Sequence, residues 1–180
     1  TGGMVICVAD DPGMHSSQNE QDSRHYAIAA KVPMLEPADS GECLSFAKAA
    51  LELSEQFDTP VFLRTCTRIA HSQSIVTLGE RVVPERKPYQ KNPQKYIMAP
   101  ANAIRRHPEV EKRTQALTEF AETCPFNRME LLGDRKLGII TSGTSYQYVK
   151  EVFGDRVSVL KLGLIHPLPV KLIQKFDRKR

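Results

Sequence analysis

The chain has 180 residues, 41% apolar and 26% charged, and a formal net charge of +4. That balance belongs to a globular protein with room for one ordinary domain or two small ones. No apolar run has bilayer length and no leader pattern opens the chain, so neither a membrane span nor a membrane partner is expected and the cytoplasm is the expected compartment.

Residues 4–9, Met4-Val5-Ile6-Cys7-Val8-Ala9, are a continuous apolar run of strand length. They release a polar stretch, residues 10–24, dense in Asp, Ser, Asn, Gln and His and without a β-branched side chain. Such a segment builds no core, and a loop leaving the C-terminal end of a buried strand is where open α/β sheets carry ligand sites. Residues 23–31 follow as a short helix and Met34-Leu35 as a short extended piece. Asp39 with Glu42 three residues on has the spacing of a capping box. The helix it opens aligns Cys43, Phe46, Ala47, Ala50, Leu51, Ser54 and Phe57 along one stripe. Residues 61–65, Val61-Phe62-Leu63-Arg64-Thr65, form the next buried strand, and this alternation predicts a parallel sheet with right-handed crossovers.

From 72 to 100 the pattern breaks. Pro84, Pro88, Pro93 and Pro100 punctuate a charged segment that reads as a linker, with 76–83 as a candidate edge strand. Residues 100–124 have helical content, with Ile104, Val110, Leu117, Phe120 and Ala121 as buried positions and Pro108 expected to kink or divide the helix. The α/β rhythm then restarts. Residues 136–141 are a strand, 142–145 a tight turn, 146–153 a helix, 157–162 a strand and 170–176 a last helix.

Few residues carry chemistry. His15 lies among Ser16, Ser17, Gln18 and Asn19, with Asp10, Asp11 and Asp22 near enough in sequence to orient an imidazole. It is the candidate catalytic residue, for substrate contact or proton transfer. A Ser–His–Asp hydrolase lacks the strand–turn–helix setting of its nucleophile. Asp10-Asp11 has the types for a hard cation, but Asp11 before Pro12-Gly13 is equally turn chemistry. Thr141-Ser142-Gly143-Thr144-Ser145 meets a helix N-terminus and suits an anion, or simply caps the helix by Ser142 or Thr144. Cys7, Cys43, Cys66 and Cys124 have no close spacing, so no metal site is expected, and Cys7 and Cys66 are expected to be buried thiols. Basic residues at 81–95 and 171–180 are not interleaved with aromatics, so no nucleic-acid partner is expected.

The stretch from Val8 to Arg24 closely resembles a segment of the large (alpha) subunit of indolepyruvate ferredoxin oxidoreductase, of the thiamine diphosphate-dependent 2-oxoacid:ferredoxin oxidoreductase family. The resemblance continues through Pro37-Ala38-Asp39-Ser40 and Pro60-Val61-Phe62-Leu63-Arg64-Thr65, and resumes at 137–146 and 160–169. It implies that 1–74 are the C-terminal half of the pyrimidine-binding domain, 75–99 a Pro-rich linker, and 100–180 a transketolase C-terminal-like α/β domain. It also implies that His15, Ser16, Ser17, Gln18, Asn19 and Asp22 face substrate or cofactor.

For the complete enzyme the resemblance implies oxidative decarboxylation of aryl-pyruvates to acyl-coenzyme A, with electrons leaving through 4Fe-4S clusters to ferredoxin. Its cofactors are thiamine diphosphate with Mg, and its partners are a beta subunit, ferredoxin, coenzyme A and the 2-oxoacid. The activating Glu, the diphosphate site and the cysteine-rich domain are expected outside these residues. The chain is then expected to be a fragment that binds none of these cofactors tightly and is inactive alone. Self-association is expected to cover its first strand. The alternative is a non-catalytic α/β interaction module that binds a partner subunit or small ligand.

Overall fold

Apolar strands alternating with capped helices build two small sheets in the computed structural model, which describes residues 3–14, 18–83 and 88–179. The first half contributes β1 (Val5–Ala9), α1 (Ser23–Ala30), β2 (Met34–Leu35), α2 (Ser40–Phe57), β3 (Val61–Thr65) and α3 (Thr67–His71). The middle carries α4 (Pro93–Tyr96) and the long α5 (Pro100–Ala121). The remainder adds β4 (Arg128–Glu130), β5 (Gly138–Ser142), α6 (Ser145–Phe153), β6 (Ser158–Leu162), β7 (Leu164–His166) and α7 (Val170–Asp177).

The first sheet runs β1-β3-β2-β7 and the second β4-β6-β5. β1, β3 and β2 are mutually parallel, with Cys7 opposite Leu63 and Leu35 opposite the same Leu63. The fold is α/β, as the alternation indicated. Both sheets also take an antiparallel member: β7 beside β2 and β4 beside β6. Each is three residues long, too short to give a periodic signal. Through β7 the last third of the chain enters the first sheet, and Leu164 shares its core with Leu35, Phe46 and Leu63. Burying each such side chain contributes about 1.5–3 kcal/mol.

Helix α2 starts where its capping residues require. The Glu42 amide donates to Asp39 Oδ1 at 2.8 Å, and the Ala38 amide donates to Glu42 Oε2 at 2.8 Å. The same Glu42 carboxylate accepts the ammonium of Lys161, which is fully buried in β6. Lys161 Nζ also lies 5.0 Å from the Phe46 ring centroid. Burial draws the Lys161 ammonium below the usual lysine range, against the opposing pull of Glu42. A second cation, Arg128, lies 3.6 Å from Glu42 Oε1. The helix cap thus doubles as the electrostatic joint to the second sheet.

Several expectations are corrected. Leu51 is exposed and Leu53 takes its place in the core, because the buried stripe of α2 runs through 46, 50, 53 and 54. Residues 76–83 form no strand, having no neighbour to pair with among the described residues, and Ile75, Leu78 and Val82 are exposed. Ile104 is also exposed. Pro108 does not divide α5. Residues 107–109 face solvent, so water can take the carbonyl that proline leaves without an N–H. Cys7 is exposed and Cys66 half-buried, because β1 pairs only with β3 among the described residues and Cys66 begins a surface helix.

Breaking a buried ion pair on one side leaves the other charge uncompensated, at a cost of about 3–5 kcal/mol. Lys161→Met is therefore expected to lower the urea unfolding midpoint sharply. The pair Glu42→Gln/Lys161→Met is expected to recover most of that loss. A double variant no more stable than Lys161→Met contradicts this account of the joint.

Candidate functional site

Parallel strands β1, β3 and β2 deliver their C-terminal ends to one edge of the first sheet, the edge at which open α/β sheets bind ligands. Asp10 follows β1, Glu36 follows β2, and Arg64 is the penultimate residue of β3. All three side chains are buried or nearly so, exposed by only 2%, 11% and 13% respectively.

Asp10 is the hub. Its carboxylate accepts the Ser23 amide at 2.7 Å, the Ser23 hydroxyl at 2.7 Å and Arg64 Nε at 2.9 Å. Ser23 is the first residue of α1, so one carboxylate closes the neck of the polar loop that opened the sequence. Arg64 Nη1 reaches in the other direction to Glu36 Oε1. The guanidinium therefore bridges the ends of β1 and β2, as a planar fork can and a point charge cannot. Next along the loop, Asp11 accepts the Thr67 amide at 2.8 Å and pairs with the Thr67 hydroxyl. Asp11 thus fastens the loop to the start of α3. Gly13 follows with φ of 86°, a conformation that glycine adopts without strain.

Of the residues expected to face a ligand, His15, Ser16 and Ser17 lie outside the described residues. Gln18 and Asn19 are exposed. Asp22 caps α1: it accepts the Arg24 amide at 3.0 Å and the Arg24 guanidinium through Nε at 2.8 Å and Nη2 at 2.7 Å. The Arg24 side-chain bonds, opposed by partial burial, hold the Asp22 carboxyl down to about 2.

The second half of the chain approaches the same edge. The Glu36 amide donates to the Gly163 carbonyl at 2.8 Å. Gly143, at φ 53°, packs its backbone on the Glu36 side chain, where a Cβ would come within 3.0 Å of the carboxyl carbon. The turn read as an anion site or a helix cap therefore serves a close approach between the two halves. Thr144, the N-cap of α6, makes no side-chain capping bond. Across the same junction, the Arg68 guanidinium carbon lies 5.2 Å from the centroid of the Tyr148 ring, and Gln147 Nε2 donates to Asp39 Oδ2 at 3.0 Å.

Arg64 and Glu36 are the site residues that the sequence reading passed over. Their signal was a lone charge at the C-terminal end of an apolar strand, Val-Phe-Leu-Arg-Thr and Met-Leu-Glu. A charge there has to find a partner when the strand is buried. Among the described residues, no three His, Cys, Asp or Glu side chains are grouped to hold a metal ion.

No protein-family model matches the chain. Curated relatives do. The chain is 45% identical to indolepyruvate oxidoreductase subunit IorA of Thermococcus kodakarensis, over 97% of its own length and 29% of the relative's. To the subunits of the same name from Methanothermobacter thermautotrophicus and Archaeoglobus fulgidus it is 41% and 38% identical, with the same shares of both lengths. The chain thus spans 29% of the length of these relatives. Among solved structures, it superposes on a chain of 2-oxoglutarate:ferredoxin oxidoreductase from Magnetococcus marinus, solved with 2-oxoglutarate, coenzyme A and succinyl-CoA bound. The TM-score is 0.63 at 16% identity, over 98% of this chain and 40% of that one. That likeness is one of fold. Over the region it spans, the chain is similar in sequence to the IorA subunits of indolepyruvate oxidoreductase.

The Asp22 pair gives this edge a measurable signature. With its carboxyl lowered from an ordinary 3.8 to about 2, Asp22 adds stability that is complete above its unfolded value and disappears as pH falls through the folded one. The contribution is small, because Asp22 is about a third exposed at 31%. A carboxyl-carbon NMR titration of Asp22 is expected to show a midpoint near 2, rising toward the ordinary value in Arg24→Gln. A midpoint that Arg24→Gln leaves in place contradicts the assignment.

Proposed function

We propose that this chain forms one wall of the active site of an indolepyruvate:ferredoxin oxidoreductase, within the alpha subunit of that enzyme. The observation that carries the reading is the polar loop at the C-terminal edge of the parallel strands. It is pinned at its neck by Asp10, and it lies in a chain 38–45% identical to IorA subunits. Residues 1–74 act as the C-terminal half of the pyrimidine-binding domain, 75–99 as a linker and 100–180 as the transketolase C-terminal-like domain. The oxidoreductase works on aryl-pyruvates, with coenzyme A taking the acyl group and ferredoxin the electrons, and it assembles with a beta subunit.

Thiamine diphosphate supplies, when bound, the nucleophilic carbon needed to release carbon dioxide from a 2-oxoacid. The groups at this edge suit the organic part of such a cofactor and the oxoacid. Glu36 Oε2 is a buried acceptor without a partner among the described residues, and the exposed guanidinium of Arg68 matches a carboxylate. Mg with the diphosphate and the 4Fe-4S clusters are held by other parts of the enzyme. This chain's own residues orient and exchange protons. Gln18 and Asn19 offer amide donors and acceptors, Ser16 and Ser17 hydroxyls, and His15 an imidazole. Asp22 holds the loop's far end at the start of α1.

In the subunit that carries this chain, assembled with its partner, indolepyruvate-dependent reduction of ferredoxin is expected. General acid–base contributions are on the order of a hundredfold or more, so His15→Ala is expected to lower kcat by that order while the subunits remain assembled. An unchanged kcat, or activity with no aryl 2-oxoacid, contradicts the proposal. The 180-residue chain alone is expected to oxidise no 2-oxoacid, and measurable turnover by it contradicts the division of labour.

A further inference from the structure

Arg64 stands between two buried carboxylates that belong to opposite sides of the candidate site. On one side, Asp10 holds the Ser23 amide and hydroxyl and so the base of the polar loop. On the other, Glu36 lies under the Gly143 backbone and ties its own amide to Gly163. The two carboxylates differ in how they are held. Asp10 keeps two bonds from Ser23 if the guanidinium is lost. Among the described residues, Glu36 Oε2 is buried without a hydrogen-bond partner and Arg64 is the one donor to the carboxylate, through Oε1. The location of the Glu36 carboxylate, on which the turn packs, therefore depends on Arg64.

We infer that Arg64 is a positioning residue that couples the polar loop to the 142–144 turn, fixing the spacing between the two walls of the site through Asp10 and Glu36. For catalysis this rests on the oxidoreductase reading; as a statement about the fold it does not. The guanidinium is committed to the two carboxylates and is 13% exposed, so its effect is expected in the reactive geometry rather than in substrate capture. Lysine restores the charge, but a single ammonium cannot reproduce a fork that reaches separate carboxylates from Nε and Nη1.

Two measurements test this. In the 180-residue chain, amide hydrogen exchange reads the coupling without any activity. Arg64→Gln is expected to speed exchange at the Ser23, Glu36 and Tyr146 amides by about tenfold or more while Val159 and Leu160 in β6 stay protected. Adding Glu36→Gln, which removes the uncompensated charge, is expected to restore Glu36 and Tyr146 but not Ser23. Uniform acceleration across the chain, or a change confined to Ser23, overturns the coupling.

In the assembled oxidoreductase, misplacement of reacting groups costs on the order of a hundredfold in rate. Arg64→Gln is therefore expected to lower kcat by that order with little change in KM for the 2-oxoacid. Arg64→Lys is expected to recover part of the loss, and Arg64→Gln/Glu36→Gln part as well. A loss confined to KM, meaning that Arg64 contacts substrate directly, overturns the positioning role. A wild-type assembly without 2-oxoacid oxidation defeats the oxidoreductase reading alone, and the exchange result then decides the structural claim.

Discussion

A parallel sheet gathers the ends of its strands at one edge, and the polar groups that arrive there have to be satisfied where water is scarce. In this chain one guanidinium meets much of that constraint, leaving Glu36 Oε2 without a partner among the described residues. Arg64 joins the ends of β1 and β2 from its place on β3, and through Asp10 it reaches the first residue of α1. The loop between Asp10 and Ser23 can be long, polar and devoid of core residues because its two ends are fastened by the same carboxylate. The glycine of the 142–144 turn is needed for the same reason: it lets the second half of the chain press its backbone onto Glu36.

A second joint lies on the other side of Glu36 in the sequence. Asp39 and Glu42 cap α2, and Glu42 also takes the ammonium of the buried Lys161. The joints have different partners but a common form, a carboxylate from the first half meeting either a backbone or a cation from the second. With β7 as a member of the first sheet and Leu164 in its core, they give the two sheets a fixed relation. A site assembled from two walls needs that relation, because spacing between walls sets the geometry available to a ligand.

Much of this was legible in the residues. The Asp39/Glu42 spacing marked the start of α2, the apolar runs marked β1 and β3, and the polar stretch after β1 marked the candidate site. What was not legible depended on partners distant in sequence. Arg64 reads as one charge in an apolar strand until Asp10 and Glu36, 54 and 28 residues away, are brought beside it. Lys161 is one charge in an apolar strand until Glu42, 119 residues earlier, is brought beside it. Leu51 and Leu53 exchange roles because two residues turn a helix by about 200°, which puts Leu53 on the buried face with Phe46 and Ala50 and Leu51 on the exposed one. The apolar composition of β1 points to a buried Cys7, yet a strand's composition does not say how many neighbours it has. The strands β4 and β7 are too short for any pattern.

The account is tested most directly by a crystal structure of the assembled oxidoreductase with an aryl-pyruvate bound. It predicts the oxoacid at the C-terminal edge of β1, β3 and β2, touching side chains of residues 15–24 while Arg64 still bridges Asp10 and Glu36. An aryl-pyruvate bound with no contact to that loop, or bound directly by an Arg64 released from Glu36, would contradict it.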